Sequence, residues 1–459
     1  MREQPQRQTF EEQGGIATMD PSALRRWVLS KLITYRFSER QVEKRRIAAE
    51  RRRQRLSQRH VVEYFHQIDD GYSHLTAQIL TQLAARYDIE LRCHLVDGPS
   101  GANVADAELL LSLSRYDSSN IASHYGLTFP VDSASPSPEL KQLALSILAN
   151  LDGSELTAQL APVSDALWSN DPDQLHALRQ SLGSAENDIV QSRLHAGTQR
   201  RQALKHYSGA MFHYGDEWYW GIDRLHYLEA RLAALGADRQ LDGPLIAPCP
   251  AVTVPENLSA SDLTLQFFPS LRSPYSAIVF DETIALAQKV DINLEVRPVL
   301  PMVMRGVPAT REKGFYIFFD TAREARRRGV AYGNWFDPIG DPVRRCYAMY
   351  PWAVAQGRGN ALLSSFMHHA FAMGVNTNTT AGLRQVVQAA GLDWQAAQSH
   401  MDDATWEALV EDNRLAMYAA GLWGVPSYRL LDVSNQPLLE VWGQDRLWLV
   451  AQAITRAKS

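Results

Sequence analysis

The sequence predicts an α/β protein made of two tandem copies of one fold, each with an inserted helical domain. Three observations predict it. Residues 61–96 parallel residues 263–300, and each stretch reads as strand, turn, helix and second strand. The two copies also close alike, with Trp220-Gly221-Ile222-Asp223-Arg224-Leu225 in the first and Trp442-Gly443-Gln444-Asp445-Arg446-Leu447 in the second, each heading a final helix. Between opening and closing, both halves are dominated by helical periodicity, as an inserted helical domain requires.

The 459 residues exceed one ordinary core, so division into domains is expected. The expected order is a basic helical arm over 1–58, a first copy over 59–235, a Pro-rich linker over 236–260 and a second copy over 261–459. In the arm, Lys and Arg crowd the chain from Leu24 to Arg59 in one or two helices. A solvated charged face is the plain reading, and a basic surface for an acidic partner or a membrane is the sharper one. Leu24, Trp27, Val28, Leu32 and Ile33 fall at helical spacing and are expected to dock onto the domain behind them. Met19 is a second candidate start.

Composition narrows the functions. Hydrophobic residues make up 45% and charged residues 21%, the balance of a folded chain, and the net charge of −5 gives no overall pull toward nucleic acid. No apolar run approaches the roughly 20 residues that span a bilayer, and the first residues lack the basic-then-apolar plan of a secretory signal. Cys93, Cys249 and Cys346 are widely spaced with no C-x-x-C, so dithiol exchange is excluded and a reducing cytoplasm is the expected home. No metal site is expected: His368 and His369 are adjacent and diverge on a helix, and His206 and His213 lack partner ligands at convincing spacing. Gly357-Arg358-Gly359 lacks the ending of a phosphate loop.

Three elements of the second copy can carry chemistry. Ser273-Pro274-Tyr275-Ser276 follows a strand and opens a helix, with Ser as N-cap and Pro at the first helical position. That start presents unpaired N–H groups and partial positive charge, which also favour a bound thiolate. Gly424-Val425-Pro426-Ser427 lies just before the last strands, where a cis X-Pro bond would leave extended backbone able to pair with a peptide-like ligand. Gln444, Asp445 and Arg446 open the last helix, where an acid complements the helix dipole and could also accept from an ammonium group.

With these elements in order, the C-terminal half resembles the 2-hydroxychromene-2-carboxylate isomerase and kappa-class glutathione transferase branch of the DsbA family. The resemblance spans nearly all of 261–454. It is carried by Ser-Pro-Tyr-Ser where redox members have C-P-H-C, by Lys313-x-x-Tyr316-x-x-x-Asp320-x-x-Arg323, by Gly421-Leu422-Trp423-Gly424-Val425-Pro426-Ser427 and by Trp442-Gly443-Gln444-Asp445-Arg446-Leu447. It implies two thioredoxin-like folds in tandem, glutathione as cofactor, and Ser273 as the catalytic residue holding the thiolate. Val425, Pro426, Gln444 and Asp445 then hold the peptide, with Lys313 as a further contact. Relatives that bind glutathione often carry an Asn upstream of the matched Lys, where this chain has Pro301-Met302-Val303-Met304.

Tyr275, Phe315, Tyr316, Trp335 and Phe336 are candidates to line an aromatic-acceptor pocket, and core packing is the alternative for each. The first copy reads as decayed, because Asp70 stands where Ser273 does and a carboxylate would repel a thiolate. No Pro matches Pro426 there. The expected function is a glutathione-dependent isomerase or transferase acting on an aromatic or hydrophobic small molecule, as a homodimer or an intramolecular pseudo-dimer. The alternative is a non-catalytic binding or assembly module.

Overall fold

The computed structural model describes residues 6–7, 20–104, 107–130, 135–240, 243–307 and 310–459; Met19 lies outside them. Ser22 starts the first helix, α1 (Ala23–Phe37), its hydroxyl accepting from the Arg25 N–H, and α2 (Glu39–Arg55) follows after Ser38. The chain then divides into two units. One joins Met1–Val42 to Ala251–Ser459 and the other is Glu43–Pro250.

In the Glu43–Pro250 unit, β1 (His60–His66) is followed by α3 (Gly71–Ala77), α4 (Leu80–Arg86) and β2 (Ile89–Leu95), which lies parallel to β1. The helices from α5 (Ala107–Ile121) to α9 (Asn187–Ala203) come next, then the hairpin of β3 (Met211–Tyr214) and β4 (Glu217–Trp220), then α10 (Leu225–Ala234). The strands line up as β2-β1-β3-β4, with β3 antiparallel to β1.

The unit formed by the two chain ends repeats that plan. Here β5 (Thr264–Phe268), α11 (Pro274–Lys289) and β6 (Asn293–Val296) precede the helices from α12 (Arg311–Arg328) to α17 (Thr405–Ala419). The unit closes with β7 (Ser427–Leu431), β8 (Pro437–Trp442) and α18 (Leu447–Ala457), and its strand order is β6-β5-β7-β8. Phe267 stacks on Tyr428 with ring centres 5.1 Å apart and meets Phe280 of α11 behind them, so the core lies between sheet and helix. The register pairs Phe268 with Ser427, which brings the loop ending at Ser273 and the loop ending at Pro426 out of the sheet at one end.

The basic stretch is not one body. Its first helix belongs with residues 251–459, and it docks by a face the apolar spacing did not indicate. Leu24, Trp27, Val28 and Leu32 are exposed and Ile33 is half-buried, whereas Arg26, Ser30 and Phe37 are buried. The reason lies in the irregular segment 334–340, whose main-chain groups need partners once covered. Arg26 donates from Nη1 to the carbonyls of Asp337 (2.6 Å) and Ile339 (2.7 Å). Ser30 accepts from the Asp337 N–H and Thr34 from the Trp335 N–H, both at 3.0 Å. Phe37 supplies the apolar part of the seam, 5.9 Å from Phe315 and 6.0 Å from Trp335 between ring centres. Phe37→Ala is therefore expected to lower the unfolding free energy by roughly 3 kcal/mol, read from denaturant midpoints. A loss below about 1 kcal/mol would mean that the seam is loosely packed.

Candidate functional site

Ser273 caps α11. Its Oγ accepts from the Ser276 N–H at 3.1 Å and donates to the Val425 carbonyl at a long 3.4 Å, while the residue stays half-exposed. Pro274 occupies the first helical turn, where its missing N–H costs nothing. Ser276 is fully buried and its Oγ receives the Ser270 N–H at 3.2 Å, which fixes the turn into the helix. The Val425–Pro426 bond is cis, as its position ahead of the final hairpin suggested. Ser273 and this loop thus face each other across the end of the sheet.

Lys313 reaches the same loop from α12. Thr310 caps that helix by accepting from the Lys313 N–H at 3.2 Å, and the Lys313 ammonium lies 5.6 Å from the ring centre of Trp423. Among the described residues no carboxylate pairs with it, and burial holds its pKa below the ordinary lysine value. Trp423 stacks near Trp442 at 5.2 Å, and its indole N–H is buried without a partner. A side chain on Gly424 would sit 2.3 Å from the Trp442 indole, so only glycine fits between the two rings and the cis bond. The result is a half-exposed hydroxyl at a helix start and a cation over an indole, both meeting residues 423–425.

The last helix contributes less directly. Asp445 is partly exposed in the turn ahead of α18, with Arg446 3.7 Å away. Gln444 is buried, and both polar atoms of its amide are engaged inside the protein. Its Oε1 accepts from Arg328 at 2.6 Å and its Nε2 donates to Glu324 at 3.1 Å. The structure therefore gathers Ser273, Val425, Pro426 and Lys313 at one loop, leaves Asp445 partly open, and turns Gln444 inward.

The aromatic candidates divide. Phe315 and Trp335 pack around Phe37, and Tyr316 and Phe336 are buried. Tyr275 donates its hydroxyl to Asp320 at 2.8 Å, and Arg323 pairs with the other oxygen of that buried carboxylate. Two features escaped sequence reasoning. Arg272, next to Ser273, is clamped through Nε and Nη2 to the Asp337 carboxylate at 2.8 Å each, a contact with no short-range signal. Trp423 lay inside the quoted Gly-Leu-Trp-Gly-Val-Pro-Ser run, but nothing local linked it to Lys313.

The turn at the same place in the Glu43–Pro250 unit has a similar set of hydrogen bonds with a different cap. Asp70 caps α3, accepting from the Ser73 N–H (3.0 Å) and Oγ (2.9 Å), and Ser73 Oγ receives the Gln67 N–H. Tyr72 donates to Asp117 at 2.7 Å, as Tyr275 does to Asp320. Burial pushes the Asp70 carboxyl up to about 6 against those hydrogen bonds. Burial raises the thiol pKa of Cys93, to about 12, and of Cys346. No disulfide joins any of the three cysteines.

Residues 264–455 match the DSBA-like thioredoxin domain. The C-terminal half thus carries a DsbA-type thioredoxin domain within a mixed α/β chain. Among solved structures, a 2-hydroxychromene-2-carboxylate isomerase is 18% identical, covers 42% of this chain and 95% of its own, and gives a TM-score of 0.34. A probable DsbA oxidoreductase from Streptomyces coelicolor is 18% identical over 42% of this chain and 89% of its own, with a TM-score of 0.35. The cytosolic disulfide reductase DsbM from Pseudomonas aeruginosa is 16% identical over 42% and 99%, with a TM-score of 0.27. No curated protein sequence matches the chain. No helix among the described residues is long and apolar enough to cross a membrane.

Proposed function

We propose that the C-terminal domain is a glutathione-dependent isomerase or transferase for an aromatic or hydrophobic small molecule, in the manner of the 2-hydroxychromene-2-carboxylate isomerase and kappa-class branch. The carrying observation is Ser273: a half-exposed hydroxyl at the N-cap of α11, hydrogen-bonded to the carbonyl that precedes cis Pro426. Ser stands at both places where a redox member has cysteine, so the turn can stabilise a thiolate but cannot form a disulfide with it.

The residues present fit glutathione. Ser273 Oγ and the α11 N-terminus suit a sulfur anion. The Val425 main chain suits a peptide, the unpaired Lys313 ammonium suits a carboxylate, and the partly open Asp445 suits an ammonium. When bound, glutathione would supply a nucleophilic thiolate. Ser273 would donate to hold that charge, and Lys313 would anchor the far end. The matching scaffolds around Asp70 and Ser273 support a tandem duplication in which only the second copy kept a usable cap.

The test is calorimetric titration of glutathione into wild type and Lys313→Ala. Binding in the micromolar-to-millimolar range that weakens about tenfold in the variant is expected, the usual worth of one charge-assisted contact. Absence of binding in wild type would end the glutathione reading and favour a non-catalytic binding or assembly module.

A further inference from the structure

The outward face of α1 is apolar and basic, while its inward face is the one held by polar bonds. Leu24 is 71% exposed, Trp27 51%, Leu32 58% and Tyr35 64%, with Val28 and Leu29 also open. On a helix, Leu24, Val28, Lys31, Leu32 and Tyr35 fall on one side, with Trp27 at one edge and Arg25 and Arg36 at the other. Arg26, Ser30 and Phe37 lie opposite and tie the helix to segment 334–340 and α12. The helix is therefore fixed in place with its hydrophobic side presented to the surroundings. Single exposed apolar residues need no explanation, but a contiguous stripe with aromatic and basic borders does.

Charge points to the occupant. α1 itself carries four Lys and Arg and no Asp or Glu, and three of the four, Arg25, Lys31 and Arg36, are exposed. Such a one-signed helix face is drawn toward an anionic surface. A stripe roughly 22 Å long and 10 Å wide falls far below the about 800 Å² per partner of a stable protein interface. Lys31 in the middle of the stripe would be costly to bury against a second copy, whereas at a lipid surface its stem can lie along the apolar face with the ammonium among headgroups. We propose that α1 docks the protein peripherally on an anionic phospholipid surface, inserting Leu24, Trp27, Val28, Leu32 and Tyr35 shallowly while Arg25, Lys31 and Arg36 meet the headgroups.

The experiment is flotation of the full chain with vesicles of phosphatidylglycerol and phosphatidylcholine, against phosphatidylcholine alone. Wild type is expected to float with the anionic vesicles at low salt and to be released as salt rises. The triple variant Leu24→Ser, Trp27→Ser, Leu32→Ser leaves the inward face intact and is expected to partition at least about tenfold less. Arg25→Glu with Lys31→Glu should also lose binding, and circular dichroism should match wild type in both. Failure of wild type to float, or undiminished flotation of the triple variant, overturns the proposal. So does a wild type that is dimeric by light scattering and becomes monomeric in the triple variant, which would assign the stripe to a second copy.

Discussion

Ser273→Ala is expected to lower turnover at least about 100-fold while leaving the fold intact, because loss of one positioned donor to a developing or resident anion typically costs that much. The hydroxyl has two jobs in the structure. It caps α11 through the Ser276 N–H, and it gives its proton to the Val425 carbonyl in a long hydrogen bond that a bound anion would replace. Loss of the cap alone costs about 1 kcal/mol of stability, too little to unfold a domain of this size. Activity and stability should thus separate: denaturant midpoints move slightly, while the pH at which bound thiol ionises moves up. Full activity in the alanine variant would remove Ser273 from the reaction and leave it as a cap.

The second large effect belongs to the Glu43–Pro250 unit. Asp70 is buried at the start of α3, and its carboxyl is raised to about 6 by burial, against hydrogen bonds from Ser73. The unfolded chain ionises an aspartate near 3.9. A raised carboxyl pKa means the folded state holds its proton longer. The contribution of Asp70 to stability is therefore greatest below about pH 4, falls as pH rises toward about 6, and then levels off, with a loss on the order of 3 kcal/mol. Asp70→Asn keeps an acceptor for the Ser73 N–H and hydroxyl without the charge. It is expected to gain up to about 3 kcal/mol at pH 7 and almost nothing at pH 4, measured by denaturant unfolding at the two values. A variant no more stable than wild type at pH 7 would show that the cavity around Asp70 solvates the anion well. The same charge at neutral pH disfavours a thiolate in that turn.

The parts of the fold readable from sequence were those set by neighbouring residues. Ser273 before Pro274 marked the start of α11, and the Val425–Pro426 bond ahead of the final hairpin is cis. The strand, helix and strand that open each unit followed from periodicity alone. What stayed hidden depends on partners far along the chain. Arg26 looked like one more surface cation, yet it is among the most buried side chains because carbonyls at 337 and 339 need donors. The spacing of Leu24, Trp27 and Leu32 showed an apolar stripe, but periodicity does not say which face of a helix meets the protein. Gln444 looked open at a helix start and is instead locked to Arg328 and Glu324, whose approach comes from α12. Arg272 and Asp337 gave no sign of pairing for the same reason.

The union of α1 with residues 251–459 has a consequence for how the chain is made. Arg26 leaves the ribosome 311 residues ahead of the carbonyl it must meet at Asp337. At about 5–20 residues per second, that interval is roughly 15–60 s, ample for a continuous intervening unit to fold first. During it, Phe37 and the Arg26 guanidinium have no seat, and the nascent helix is open to any other surface that offers carbonyls or aromatic rings. The C-terminal domain is therefore completed by a helix made well before it, so its assembly depends on that helix being kept free until segment 334–340 has been synthesised.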